Sequence, residues 1–365
     1  MQGRRQGPVC RPRINAGGVR VQADAQKAAG AESLPNQRMD ERASSTFISS
    51  NALDQLLHEV KSSPLTAHGA IHAIELVSDV ALVTVVTTQT RGATTPVAYR
   101  QTHLYRHDAT GWTWTEPSPT LWGEPRTLLT QHLRFEYRLR DAPAVERAAH
   151  ELDAMYRALR QDVGLPPPTG QRTVRVIPQL IAAGWRMDGQ HLLVSSQLLM
   201  RLPSELSDAE ALVQLLIDPF VTIALNETVQ RHAIQLQWQE VVSGAQSWLH
   251  NTYCGERRVV RTICRQTVLP QNYAPVSLSM AALSSTASDS FALLGYRDYR
   301  FDGVALIDYV VAVYGRERLS SLLTALEAHS TWNTLIPAVF QVTAPAFEQE
   351  WQAYLRGEVP AGQRE

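Results

Sequence analysis

Apolar residues recur along the chain at two periods, and the elements change where the period changes. Leu53, Leu56, Leu57 and Val60 share one face of a helix over 46–62, which Pro64 ends. Beyond it the period drops to two. Residues 70–77, 81–88, 98–107 and 112–115 read as strands rich in β-branched and aromatic side chains. Ser78-Asp79 and the stretch from Asp108 to Gly111 supply turns, and 99–114 forms a hairpin. Residues 133–138, 172–177 and 191–195 alternate in the same way. Between the first two of these lies a helix capped by Asp141, with Ala144, Ala148, Leu152, Met155 and Leu159 on one face. Gly164 and the prolines 166–168 stop it. Asp208 caps a long helix over 209–230, in which Pro219 predicts a kink or a break. A further helix spans 231–254. Three short helices close the chain between 301 and 355. Gly315 ends the first, Leu319, Leu322, Leu323 and Leu326 stripe the second, and Thr343 caps the third ahead of Phe347, Trp351 and Leu355.

This order predicts an α+β protein. A helix and a curved antiparallel sheet over 46–119 precede a domain over 120–357, with a small mixed sheet and a mainly helical C-terminal half. The Pro-containing segment from 116 to 125 is the expected linker. Residues 1–45, dominated by Gly, Gln, Ala, Arg and Ser, and residues 358–365 are expected to be disordered tails. The chain has 365 residues, of which 44 % are hydrophobic, enough for two cores. Its net charge of −1 gives no electrostatic case for nucleic acid. No apolar run of membrane-spanning length occurs, and 1–45 lacks the apolar centre of a secretory signal, so a cytoplasmic location is expected. Basic charge is nearly all arginine; Lys27 and Lys61 are the lysines. Cys10, Cys254 and Cys264 form no disulfide framework, although His250 and Cys254 stand one helical turn apart. Arg258, Arg261 and Arg265 would form a basic stripe if helical, and 277–290 is small and polar.

Several segments carry a resemblance. A helix with Asp308-Tyr309-Val310 is followed by Tyr314-Gly315-Arg316-Glu317-Arg318-Leu319 and Trp332-Asn333-Thr334-Leu335. Phe347-Glu348-x-Glu350-Trp351-x-x-Tyr354-Leu355 comes last. Together they resemble the C-terminal helical region of the gluzincin metallopeptidases, the peptidase MA-like group. The strand, helix, Gly164-Leu165-Pro166 turn and strand resemble the opening of the same domain. More distantly, 46–119 is similar to a shortened nuclear transport factor 2-like cone. Such a cone holds a small ligand or a catalytic Asp/His pair. His103 and His107, four apart on one strand, share a face and are the candidate pocket pair; His68 and His72 are the other histidines there.

The gluzincin resemblance implies zinc held by His-Glu-x-x-His, with the glutamate deprotonating a metal-bound water. By position the motif falls on Gln214 to Asp218. Gln214 and Asp218 then stand in the ligand places and Leu215 in the place of the base. Leucine takes no proton. Glu227 and Glu240 are the candidates for a third ligand or for the cleft wall. His150-Glu151 is not followed by the second histidine, and His150 is expected on the surface. No nucleophile elbow or phosphate loop occurs. The leading expectation is a pseudo-peptidase with no catalytic residue and no cofactor, binding a peptide or protein partner. The alternatives are small-ligand binding by the cone and an active zinc peptidase with an atypical ligand set.

Overall fold

The computed structural model describes residues 20–22, 50–62, 69–89, 96–255 and 298–358. It is an α+β structure built on two sheets. The first contains β1 (Arg20–Gln22), β2 (Gly69–Val77), β3 (Val80–Gln89), β4 (Val97–Asp108) and β5 (Gly111–Trp114). All pair antiparallel, and Ser78, with a positive φ of 54°, turns the β2–β3 hairpin. Helix α1 (Ser50–Ser62) packs on one face through Leu56 and Val60, against Ile74, Ala81, Val83, Val85, Tyr105 and Trp112. The opposite face presents Val80, Leu82 and Leu104 to Trp122 and Leu199. Both faces of β3 are therefore covered, which explains its almost unbroken apolar run.

The second sheet has the order β6-β7-β8-β10-β9. Its strands are β6 (Pro125–Leu129), β7 (Leu133–Arg138), β8 (Arg172–Ile177), β9 (Trp185–Asp188) and β10 (His191–Ser195). The three central strands run parallel and the two edge strands antiparallel, so the sheet is mixed. Helix α2 (Ala142–Asp162) makes the crossover from β7 to β8. Its Ala144, Ala148, Leu152, Met155 and Leu159 are all buried, on the face that the 3.6-residue period predicts. Asp153 on this helix holds the β6–β7 turn. Its carboxylate accepts from the Thr130 hydroxyl, the His132 amide at 2.7 Å and His132 Nδ1 at 2.9 Å. Burial acts to raise the Asp153 pKa, but these bonds win and hold it below the usual carboxylate range.

Helices α3 (Asp208–Arg231) and α4 (Gln239–Gly255) follow. Then come α5 (Asp298–Tyr314), α6 (Glu317–Ala325), α7 (Trp332–Phe340) and α8 (Ala344–Leu355). An aromatic cluster of Tyr309, Tyr314, Phe340 and Phe347 joins α5, α7 and α8, with ring centroids 4.7 to 6.0 Å apart. Gly315, at φ +92°, ends α5 as expected. Arg316 crosses from the start of α6 to the end of α2. It donates to Asp162 at 2.7 and 2.9 Å and lies over Trp248 and Tyr253 of α4.

Several expectations are corrected. The closing segment holds four helices rather than three; α7 was hidden because Pro337 interrupts its sequence. Pro219 does not break α3, which runs through it. Ser207, not Asp208, caps α3, in a reciprocal capping box with Glu210. Asp141 occupies the N-cap position of α2, but its side chain turns inward and makes no capping bond. Within the expected N-terminal tail, Arg20–Gln22 pair with β2. The remainder of 1–45, Cys10, Cys264, the 258–265 stripe and 277–290 lie outside the described residues.

The two sheets are also tied in a way the sequence did not suggest. After β10 the chain returns to the first sheet, where β11 (Leu202–Pro203) pairs with β4 at Arg100 and Tyr99. Arg100 donates to Asp208 at 2.7 Å and to the Leu206 carbonyl at 2.8 Å, and Arg140 pairs with Glu75 at 2.8 Å.

Candidate functional site

Helices α3 and α4 form a hairpin, and their facing sides carry matched rows of polar residues. On α3 these are Gln214, Asp218 and Thr222, one turn apart; on α4 they are Gln246, His250 and Cys254. Gln246 Nε2 donates to Thr222 Oγ1 at 3.1 Å. One turn along, Asp218 faces His250. Burial, the larger effect, lowers the His250 pKa, and the Asp218 charge works against it. Cys254, one turn further along α4, is buried in the main core. Within α4, Cys254 Sγ lies 3.8 Å from His250 Nε2. The rows are polar because this side of α3 turns away from the core that buries Leu212, Leu216, Ile217 and Phe220.

The edge strand β9 reaches this row at Asp218. Trp185 Nε1 donates to Asp218 Oδ2 at 2.8 Å, so one carboxylate oxygen is already engaged. Leu215 packs beside it, and its Cδ2 would lie 3.5 Å from a Cβ placed on Gly184. Gln214 Oε1 is buried with no hydrogen-bond partner among the described residues. The three positions assigned to the zinc motif thus offer an amide, an alkyl chain and a carboxylate bonded to an indole. That set lacks two imidazoles and a base, and it does not fit a gluzincin zinc centre. Among the described residues no three His, Cys, Asp or Glu side chains converge on one point.

The other candidates lie elsewhere. Glu227 is nine residues beyond Asp218, about half a revolution around α3. It receives two hydrogen bonds from Arg160 of α2, at 2.6 and 2.9 Å, and these hold its carboxyl below the usual range. It is a tie to α2, on the side of α3 away from the α3–α4 row. Glu240 stands in the first turn of α4, where its carbonyl meets Gly303 of α5.

His103 and His107 do share a face of β4, as their registers opposite Val83 and Trp112 require. They differ in surroundings. His103 is buried and its pKa is lowered by that burial; His107 is half-buried and packs edge-on against Trp112, with centroids 4.9 Å apart. His150 is exposed on α2. Trp185 and Gln246 were missed by sequence reasoning. Gln246 had a signal in its four-residue spacing from His250 and Cys254, which mirrors 214, 218 and 222. Trp185 had none, because the edge strand that carries it is too short to show a period. No family model matches the chain, and neither a curated protein nor a solved structure matches it.

Proposed function

We propose that this chain is a gluzincin-like protein without peptidase activity, whose cleft beneath β9 binds an extended peptide segment of a partner protein. The observation that carries the reading is the Trp185–Asp218 bond. It brings Asp218, which the resemblance implies stands in a ligand's place, into direct contact with the strand at the edge of the sheet. That strand ends the sheet order, so its outer backbone groups are free to pair among the described residues. Exposed Met187 lies on it and exposed Leu180 in the segment before it, apolar surface of the kind that side chains of an added strand would cover. The polar rungs of Asp218 with His250 and of Thr222 with Gln246 make a floor that can meet a peptide by hydrogen bonding.

The test uses the 365-residue chain with zinc and reduced, unfolded casein. Casein is expected to bind and remain intact, with binding weakened about tenfold or more by Met187→Asp. Cleavage that a chelator stops and Asp218→Ala abolishes would overturn the reading.

A further inference from the structure

Asp141 is fully buried, at 0 % exposure, where the two sheets meet. Three segments converge on it. Its own turn joins β7 to α2. Ser196, at the start of the loop from β10 to β11, donates from Oγ to Asp141 Oδ1 at 2.6 Å, and Gln197 Nε2 approaches the same oxygen at 3.4 Å. Trp122, from the segment between β5 and β6, donates from Nε1 to Ser196 Oγ at 3.4 Å. Leu199, three residues further along the β10–β11 loop, packs with Trp122 on Val80, Leu82 and Leu104 of the first sheet. The carboxyl therefore sits beneath the loop that delivers β11 to β4.

Its polar environment is one-sided. Oδ1 takes both donors, while Oδ2 is buried with no hydrogen-bond partner among the described residues. A buried, unsolvated carboxylate oxygen strongly disfavours the charged form. The charged neighbour is Arg140, from the same turn. Its guanidinium is already committed to Glu75 of β2 and lies 5.9 Å from the Trp122 ring centre. Ser196, Gln197 and Trp122 bring no charge.

We propose that Asp141 is a pH-sensitive pin that holds the β10–β11 loop and the two sheets together more firmly in mildly acidic than in neutral surroundings. This rests on the junction alone and does not depend on the function of the α3–α4 cleft. Burial pushes the Asp141 pKa from 3.8 up to about 6, with the Ser196 and Gln197 hydrogen bonds, the nearby Trp122 N–H and Arg140 opposing. The folded state therefore holds the proton more tightly than the unfolded chain. The stabilisation is complete below the unfolded value and is lost as pH rises through the folded one. Between pH 5 and 7.5 the loss is roughly tenfold in the opening equilibrium.

The experiment is hydrogen exchange of the 196–204 amides at pH 5 and 7.5, corrected for intrinsic rates, in the wild type and in Asp141→Asn. The wild type should lose about tenfold more protection than the variant on going to pH 7.5. Equal losses in the two proteins would overturn the proposal. If Asp141→Asn does not fold, carboxyl carbon titration of the wild type decides. One aspartate titrating near pH 6 is expected, and none above about pH 4.5 would refute the pin.

Discussion

Replacing Gly244 with alanine should lower stability by about 3 kcal/mol and loosen α4 from its neighbours. At this crossing α4 and α5 touch backbone to backbone. A Cβ on Gly244 would overlap the carbonyl carbon, oxygen and Cα of Gly303, and one on Gly303 would strike the Glu240 carbonyl and come within 3.1 Å of Gly244 Cα. None of these atoms can rotate away as a side chain tip would, so the helices must separate. Overpacking of this kind costs about 1–3 kcal/mol, and here the whole crossing moves. The gain of about 1 kcal/mol from replacing a helical glycine with alanine does not offset it. Gly255→Ala is the control, because a Cβ there meets nothing within 4 Å. Urea unfolding midpoints should fall for Gly244→Ala and Gly303→Ala and hold or rise for Gly255→Ala. Since α4 also carries Gln246 and His250, the Gly244 variant should weaken casein binding as well.

Arg160→Ala should cost a similar amount by another route. Arg160 is only 4 % exposed, yet its guanidinium is fully engaged. It donates twice to Glu227, twice to the Pro166 carbonyl at 3.1 Å, and once to Tyr156 at 3.4 Å. These bonds link α2, α3 and the turn after α2. Truncation strands Glu227 and the Pro166 carbonyl together. Breaking a buried pair costs about 3–5 kcal/mol. The Glu227 side chain is 38 % exposed, so solvent recovers part of that charge and about 3 kcal/mol is expected. Glu227→Gln keeps the shape and should cost about half as much. The pH dependence has a definite sign. The Glu227 pKa is depressed, first by the Arg160 hydrogen bonds, so its contribution is complete above the usual carboxylate range. It is lost as pH falls through the depressed value, the opposite sense to Asp141. Urea titrations at pH 7 and pH 3 should show the difference between wild type and Glu227→Gln shrinking at the lower pH.

How much of this was legible in the sequence depended on whether a residue's role was local. Helix α2 was readable because Ala144, Ala148, Leu152, Met155 and Leu159 repeat a period that one buried face imposes. Strand β3 was readable because β-branched residues cluster where two faces are covered. Strand β11 was not, since two residues carry no period and their pairing with Tyr99 and Arg100 is set about a hundred residues away. Asp141 looked like a cap because an aspartate before a helix beginning Ala-Pro is the usual local signal. Its real partners, Ser196 and Gln197, come from another strand's exit loop. Glu227 looked like a ligand candidate by residue type alone, and only the helix phase and Arg160 reveal its structural tie. The α3–α4 rungs were half visible: each row has four-residue spacing, but the register that sets Asp218 against His250 belongs to the hairpin.

Elemental analysis decides whether the Gln214–Asp218 segment serves binding, as proposed, or metal chemistry. The 365-residue chain would be purified from zinc-supplemented medium, together with Asp218→Ala. The expected result is zinc well below one ion per chain, the same in both proteins, with folding unaffected by chelator. Near-stoichiometric zinc in the wild type that disappears in Asp218→Ala would overturn the binding reading and make Asp218 a metal ligand.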